Sequence, residues 1–346
     1  MNTAENDHPP ARLPRETTIL FGHAEAEREL LDSYKTGRTA HAWLIGGPRG
    51  VGKATLAYRF ARFIFAHPDS ASPQVRNASS LLVDAEHPVA RRMAAQTQGD
   101  LLVLERTINE QTGKLYTVIR VEDVRRTTSF FGSTPGEDGW RIVIVDSVDE
   151  LQREGANALL KALEEPPERS LLLLISHSPG RELATIRSRC RRLLLRPLEV
   201  QDAARAVVEA TGCDPDDQDL SQALEAAEGS PGRAVALLDD GQMLKLRRRV
   251  TELLAQLPDP DMRALHALAD GMGSSDPKVL DAFLDQVSGW LSSRLRERLQ
   301  QPHHMARLAA TWEAVNRATR DAEDFNLERK PLVFTVFGAL SEAARG

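Results

Sequence analysis

Cysteine is nearly missing from this chain: Cys190 and Cys213 are the only two in 346 residues. Two thiols supply neither a four-ligand metal cluster nor a disulfide framework. No apolar run approaches the roughly 18 residues that a membrane span requires. An excess of positive charge is also lacking. The net charge is −6, which argues against autonomous, charge-driven binding to DNA. The first 16 residues are polar and proline-containing and carry no signal-peptide pattern, so residues 1–18 read as a flexible tail and the cytoplasm as the natural compartment. What remains, 41% hydrophobic and 27% charged residues, is the composition of a soluble globular protein of two or three domains.

Against that background one segment stands out. Gly47-Pro48-Arg49-Gly50-Val51-Gly52-Lys53 has the G-x-x-x-x-G-K spacing of a phosphate-binding loop. Its glycines let backbone N–H groups close around phosphate oxygens, and Lys53 brings a point charge to them. The helix expected from about Lys53 aims its positive dipole end at the same anion. The next position of a working loop carries a Ser or Thr hydroxyl that holds a metal ion. Here it is Ala54, and Thr55 follows one place late, about 100° further round the helix. His41–Ile45 before the loop is an apolar run of strand length, and Thr55–Ile64 after it has helical periodicity.

Further along, Glu25–Tyr34 reads as a helix capped by Gly37. Residues 67–100 show no clear period. Strands are expected at 101–105, 141–146, 170–175 and 192–195, with helices at 121–131 and 157–165, the latter stopped by Pro166-Pro167. Apolar strands alternating with helices predict a parallel sheet covered on both faces. After Pro197 the strands stop. The expected organisation is an α/β domain over 19–197, a small helical domain over 198–242 with Gly229-Ser230-Pro231-Gly232 separating two helices, and an all-helical domain over 243–346. In the last, Leu280, Phe283, Leu284, Val287, Leu291 and Leu295 form one stripe of period 3.6. Trp312, Val315, Leu332, Phe334 and Phe337 add apolar surface beyond what one small bundle needs.

Asp146 closes the strand 141–146 as a metal-organising carboxylate does in phosphate-loop enzymes. The following residue, where a hydrolase places the Glu that positions water, is Ser147. Asp149 and Glu150 read as solvated charges near a helix start, Ser176 and His177 as a satisfied strand-end hydroxyl and imidazole, and Cys190 as a small buried residue. Taken alone, Arg189 is a surface or structural arginine.

Several strings then combine into a resemblance. Asn157-Ala158-Leu159-Leu160-Lys161-Ala162-Leu163-Glu164-Glu165-Pro166-Pro167, followed by Thr185-Ile186-Arg187-Ser188-Arg189-Cys190, resembles the clamp-loader branch of the AAA+ superfamily, and within it the delta-prime family of bacterial DNA polymerase III clamp loaders. Leu20-Phe21-Gly22-His23, His41-Ala42-Trp43-Leu44 and Gly229-Ser230-Pro231-Gly232-Arg233-Ala234 match as well. The resemblance covers residues 20–240, and the C-terminal region matches in kind. It implies a phosphate-loop α/β domain, a helical lid and a C-terminal collar that holds a ring of subunits. It implies that Arg189 is an arginine finger reaching a neighbour's nucleotide, that Arg233 is the lid arginine, and that Phe21 packs near the adenine. The partners it implies are gamma/tau-type and delta-type subunits, the sliding clamp and, through the assembled complex, primer–template DNA, with no membrane. ATP or ADP is bound, if at all, without hydrolysis. The zinc module of many relatives falls on residues 67–100, which hold no cysteine, so zinc is excluded on ligand count.

Three readings stay open: a non-catalytic assembly subunit that donates Arg189 in trans, a gamma/tau-type ATPase motor with an unusual loop, and an AAA+ remodeller outside replication. Ala54 together with Ser147 favours the first, because metal and water positioning fail together.

Overall fold

The computed structural model describes residues 11–345 apart from 38, 110–112, 114, 133–138, 181–183, 273–276, 298–306, 309, 316 and 319–328. These residues group into two compact units, Met1–Ala236 and Leu237–Gly346.

The first unit is built on five parallel strands: β1 (Ala42–Gly46), β2 (Leu101–Glu105), β3 (Arg141–Asp146), β4 (Ser170–Ser176) and β5 (Arg191–Leu194), in the order β2-β3-β4-β1-β5. This is the parallel α/β sheet expected for the first domain. The three inner strands are apolar almost throughout because both faces of the sheet are covered. Alternation along each strand still sorts the side chains. Trp43, Ile45, Ile142, Ile144, Leu171 and Leu173 enter one core with α1 (Ala24–Lys35) and α2 (Lys53–Ala66). Leu44, Val143, Val145, Leu172 and Leu174 enter the opposite core with α5 (Val121–Gly132) and α6 (Arg153–Glu164).

The expected elements recur with ends shifted by no more than four residues, the largest shift being the start of α6. Gly37 takes φ +66 just past α1 and donates its N–H to the Tyr34 carbonyl, as a helix-terminating glycine does. Residues 67–100, where no period was legible, contain two short helices, α3 (Pro73–Asn77) and α4 (Pro88–Ala94). Each begins with a side-chain cap, Ser72 or His87, followed by proline at the first helical position. That pairing was readable, but helices of five and seven residues are too short to display periodicity. Buried Val75, Leu81, Val83, Val89 and Met93 fasten the segment to the main core.

The tail ends earlier than expected. Arg62, on the buried face of α2, donates to the carbonyls of Arg15 and Thr17, and the Arg12 N–H bonds the Ala210 carbonyl. A buried guanidinium must find acceptors, and here the chain before α1 supplies them. The segment is therefore tied down from Arg12 onward, whereas residues 1–10 of the expected tail lie outside the described residues.

Helices α7 (Ala184–Arg187), α8 (Val200–Thr211), α9 (Gln218–Ala227) and the first part of α10 (Pro231–Asp239) complete the first unit, so most of the expected lid groups with the sheet. The second unit contains α11 (Gly241–Ala255), α12 (Met262–Gly271), α13 (Pro277–Glu297) and α14 (Arg329–Arg345). Its own core takes in Leu280, Phe283, Val287, Leu291, Val315, Leu332 and Phe337, with Leu284, Leu295, Trp312 and Phe334 packed partly buried against it. The apolar surplus expected from the sequence is thus largely consumed inside the unit. Among the described residues no helix is long and apolar enough to cross a membrane.

Candidate nucleotide site and the families it matches

The phosphate-binding loop leaves the C-terminal end of β1 and its backbone is fixed from several sides. Lys53 is 3% exposed, and its ammonium donates to the carbonyls of Gly47 (2.7 Å) and Pro48 (2.5 Å). The Arg49 carbonyl accepts from the Ser230 hydroxyl (2.8 Å) and the Gly50 carbonyl from the Gly232 N–H (2.9 Å). The Val51 carbonyl accepts from His23 Nε2 (2.7 Å), so that ring nitrogen carries the proton. Burial holds the His23 pKa below its ordinary value, in keeping with a neutral imidazole. Five successive carbonyls, 47 to 51, are therefore turned away and satisfied. An ammonium has three donors and Lys53 spends two on carbonyls, leaving one for a phosphate oxygen.

The 229–232 string does more than separate α9 from α10. Gly50 has φ +80, and a Cβ there would sit 2.4 Å from the Ser230 hydroxyl and 2.9 Å from the Arg233 backbone nitrogen. On the other side, a Cβ on Gly232 would meet the Gly50 Cα at 2.9 Å. Two glycines face each other because the start of α10 lies directly on the loop. Arg233, exposed in the first turn of α10, donates its N–H to Ser230.

Around the loop the charges are paired differently from the sequence reading. Asp149 is exposed, as expected, yet engaged by neighbouring donors, and Glu150 is largely shielded. Asp149 accepts from the backbone N–H groups of His177 (2.6 Å) and Ser178 (2.9 Å) and from the Ser176 hydroxyl (3.2 Å), tying the end of β4 to the turn after β3. Glu150, with a side chain 16% exposed, bonds Arg49 at 2.7 Å and Arg106 at 2.8 Å. These residues line a cavity of about 590 Å³ with Glu105, Asp146, Ser147 and His177. Asp146 has its pKa raised to about 6, first by burial and then by Glu105, its register neighbour on β2. His177 is lowered to about 4 by burial and then by Lys53 and Arg49. Ser176 is satisfied as expected, whereas the buried His177 Nδ1 and the Ser147 hydroxyl have no hydrogen-bond partner. Burial also pushes the Cys190 thiol up to about 12, which leaves it unreactive.

The residues fit a phosphate and do not fit a loop-held metal. Ala54 offers a methyl group that packs against the main core where an oxygen ligand is needed, and Ser147 offers no carboxylate. Phe21, expected near the adenine, carries the Arg205 guanidinium 4.7 Å from its ring centroid.

Arg189 lies elsewhere. It lies two residues before the start of β5, whose first residue pairs with Trp43 near the start of β1, whereas Leu194 pairs with Gly46 at the loop. At about 3.3 Å per residue, Arg189 is roughly 15 Å from its own phosphate loop, at the opposite end of the strands.

Residues 22–199 match the family model described as DNA polymerase III, delta subunit. The chain is 32% identical to DNA polymerase III subunit delta′ of Pseudomonas aeruginosa over 259 residues, 74% of this chain and 73% of that one. The chain belongs to the delta-prime family of clamp-loader subunits. Subunit delta′ of Escherichia coli K12 is 29% identical over 81% of this chain and 76% of its own. Subunit gamma of Buchnera aphidicola is 25% identical over 85% of this chain and 78% of its own. This delta-prime-family protein is therefore a subunit of the DNA polymerase III clamp loader.

The buried Lys53 gives this subunit a measurable signature. Burial lowers its pKa from 10.5 to about 8, against the opposing pull of Asp146 and Asp149. The unfolded chain thus holds this proton more tightly than the folded one, and the buried ammonium costs stability below pH 8. That cost is relieved as pH rises from about 8 to 10.5. Comparing urea unfolding of the wild type with Lys53→Met at pH 7.5 and 10.5, the wild type gains up to about 3 kcal/mol relative to the variant. Equal pH dependence in the two proteins would mean that Lys53 titrates as an ordinary surface lysine.

Proposed function

We propose that this subunit takes part in ring assembly and in its neighbour's chemistry without hydrolysing nucleotide itself. The observation that carries this reading is the separation of Arg189 from its own loop: a guanidinium at the far end of the strands serves a neighbour's phosphates or none. There it neutralises charge that develops on the transferred phosphoryl group. The cradle of Gly47, Gly50, Val51, Gly52, Lys53 and Thr55 holds ATP or ADP phosphates through backbone N–H groups and the remaining Lys53 proton, while Phe21 and Arg233 flank the nucleotide. Asp146 has no metal to organise, since Ala54 and Ser147 withhold the other ligands, so it stays a structural acid beside Glu105.

In this reading residues 198–242 act as the lid, 243–346 as the collar, and the protein works in the cytoplasm. Its ring partners are gamma/tau-type and delta-type subunits, which together open the sliding clamp on primer–template DNA. Net charge gives this chain no general affinity for DNA, so such contact is shared with those partners.

The test is direct. The purified subunit shows no magnesium-dependent ATP turnover above buffer, while equilibrium dialysis with ADP reports whether the cradle binds. Turnover that disappears in Lys53→Ala would overturn the non-hydrolysing reading and favour a motor subunit.

A further inference from the structure

The Arg189 guanidinium is folded back onto its own subunit. One terminal nitrogen, Nη2, lies 2.7 Å from Glu164 Oε1, and the other, Nη1, donates to the Thr185 carbonyl at 3.0 Å and the Ser188 hydroxyl at 3.3 Å. Glu164 is the last residue of α6, where the helix dipole adds negative potential and attracts a cation. The end of that helix is itself anchored: His41, at the start of β1, bonds the Leu163 carbonyl at 3.1 Å. The carboxylate thus sits on a fixed point at the end of the sheet from which Arg189 projects. Both partners remain accessible, with side chains 35% and 50% exposed.

A carboxylate and a phosphate compete for the same planar fork of donors. We propose that Glu164 is a positioning residue for Arg189: it holds the guanidinium against α7 until the terminal phosphate of an adjoining subunit's nucleotide displaces it. This inference rests on the trans role given to Arg189 above. Exposed ion pairs contribute between about 0 and 1 kcal/mol, so the hold is weak enough to be displaced and shifts the competition by a factor of up to about five. Glu164 therefore acts as a brake of modest strength, and screening by salt releases it.

The experiment uses the complete loader, reconstituted with wild-type subunit, Glu164→Gln, Arg189→Ala or the double variant, and reads clamp-stimulated ATP turnover at low and high salt. With the brake removed, Glu164→Gln turns over ATP two- to five-fold faster than wild type at 50 mM salt or reaches half-maximal rate at correspondingly lower ATP. The ratio falls towards one at 500 mM. In the Arg189→Ala background the same substitution changes nothing. If Arg189→Ala lowers turnover but Glu164→Gln leaves it unchanged or lowers it at both salt concentrations, the brake is wrong while the trans role stands. If Arg189→Ala itself leaves turnover unchanged, the trans role fails and the brake fails with it. An equal effect of Glu164→Gln with and without Arg189 would assign Glu164 to the stability of α6 alone.

Discussion

Replacing Arg189 with alanine lowers ATP turnover at the neighbouring site of the assembled loader by about 10³-fold, the lower end of the range of arginine fingers. The loss measured over the whole ring is smaller if the other sites fire independently, so single-turnover hydrolysis at the adjoining subunit is the sharper measurement. The substitution leaves the fold alone. Arg189 is partly exposed and its contacts are an ion pair with Glu164 and two hydrogen bonds within its own turn, which together are worth little to stability. Thermal unfolding and ring assembly by size exclusion should therefore match the wild type. Arg189→Lys keeps the charge but loses the planar fork, and recovers only part of the rate. Unchanged single-turnover hydrolysis in Arg189→Ala, with the ring intact, would reduce this residue to a surface ion pair.

Glu27→Ala produces the largest loss of stability among the substitutions considered. Arg59, on the wholly buried side of α2, has a side chain only 4% exposed, and Glu27 meets its Nη2 at 2.5 Å. The Nε and Nη1 of Arg59 are buried without a hydrogen-bond partner, so Glu27 is what keeps this cation tolerable. The same carboxylate oxygen accepts the Leu81 N–H at 2.7 Å, pinning the 67–100 segment to α1 and α2. Its removal strands a buried charge and costs about 3–5 kcal/mol. That amounts to a drop in Tm of roughly 10 °C for a unit of this size. Hydrogen exchange around residues 78–83 should accelerate as well. The double variant Glu27→Leu/Arg59→Met recovers most of the loss, because a buried ion pair replaced by apolar groups of similar volume is close to neutral. A Tm shift below 2 °C in the single variant would mean that Arg59 reaches water.

The buried ion pair illustrates what pattern reading misses. Arg59 and Arg62 fall within a helical repeat of apolar residues, Leu56, Phe60, Phe63 and Ile64, that spreads around most of α2, so nothing local shows whether they snorkel to solvent or are enclosed. Enclosure depends on α1 and on the chain before it, which provide Glu27 and the carbonyls of Arg15 and Thr17. Glu150 escapes pattern reading for the same reason: an acid after a strand looks solvated until the end of β2 brings Arg106 against it.

The sequence by itself determined the β1–loop–α2 unit, the alternation of strands and helices, the failing metal and water positions at Ala54 and Ser147, and the family through its paired strings. These are local properties, set by periodicity, backbone conformation and the chemistry of single side chains. Only the tertiary structure decided that Gly50 faces Gly232, that Lys53 is buried enough to lower its pKa, that Arg189 stands at the end of the strands opposite its own loop, and that Glu164 holds it there. Each depends on residues distant in sequence meeting at an end of the sheet or a helix start, and strand order, not composition, sets those meetings.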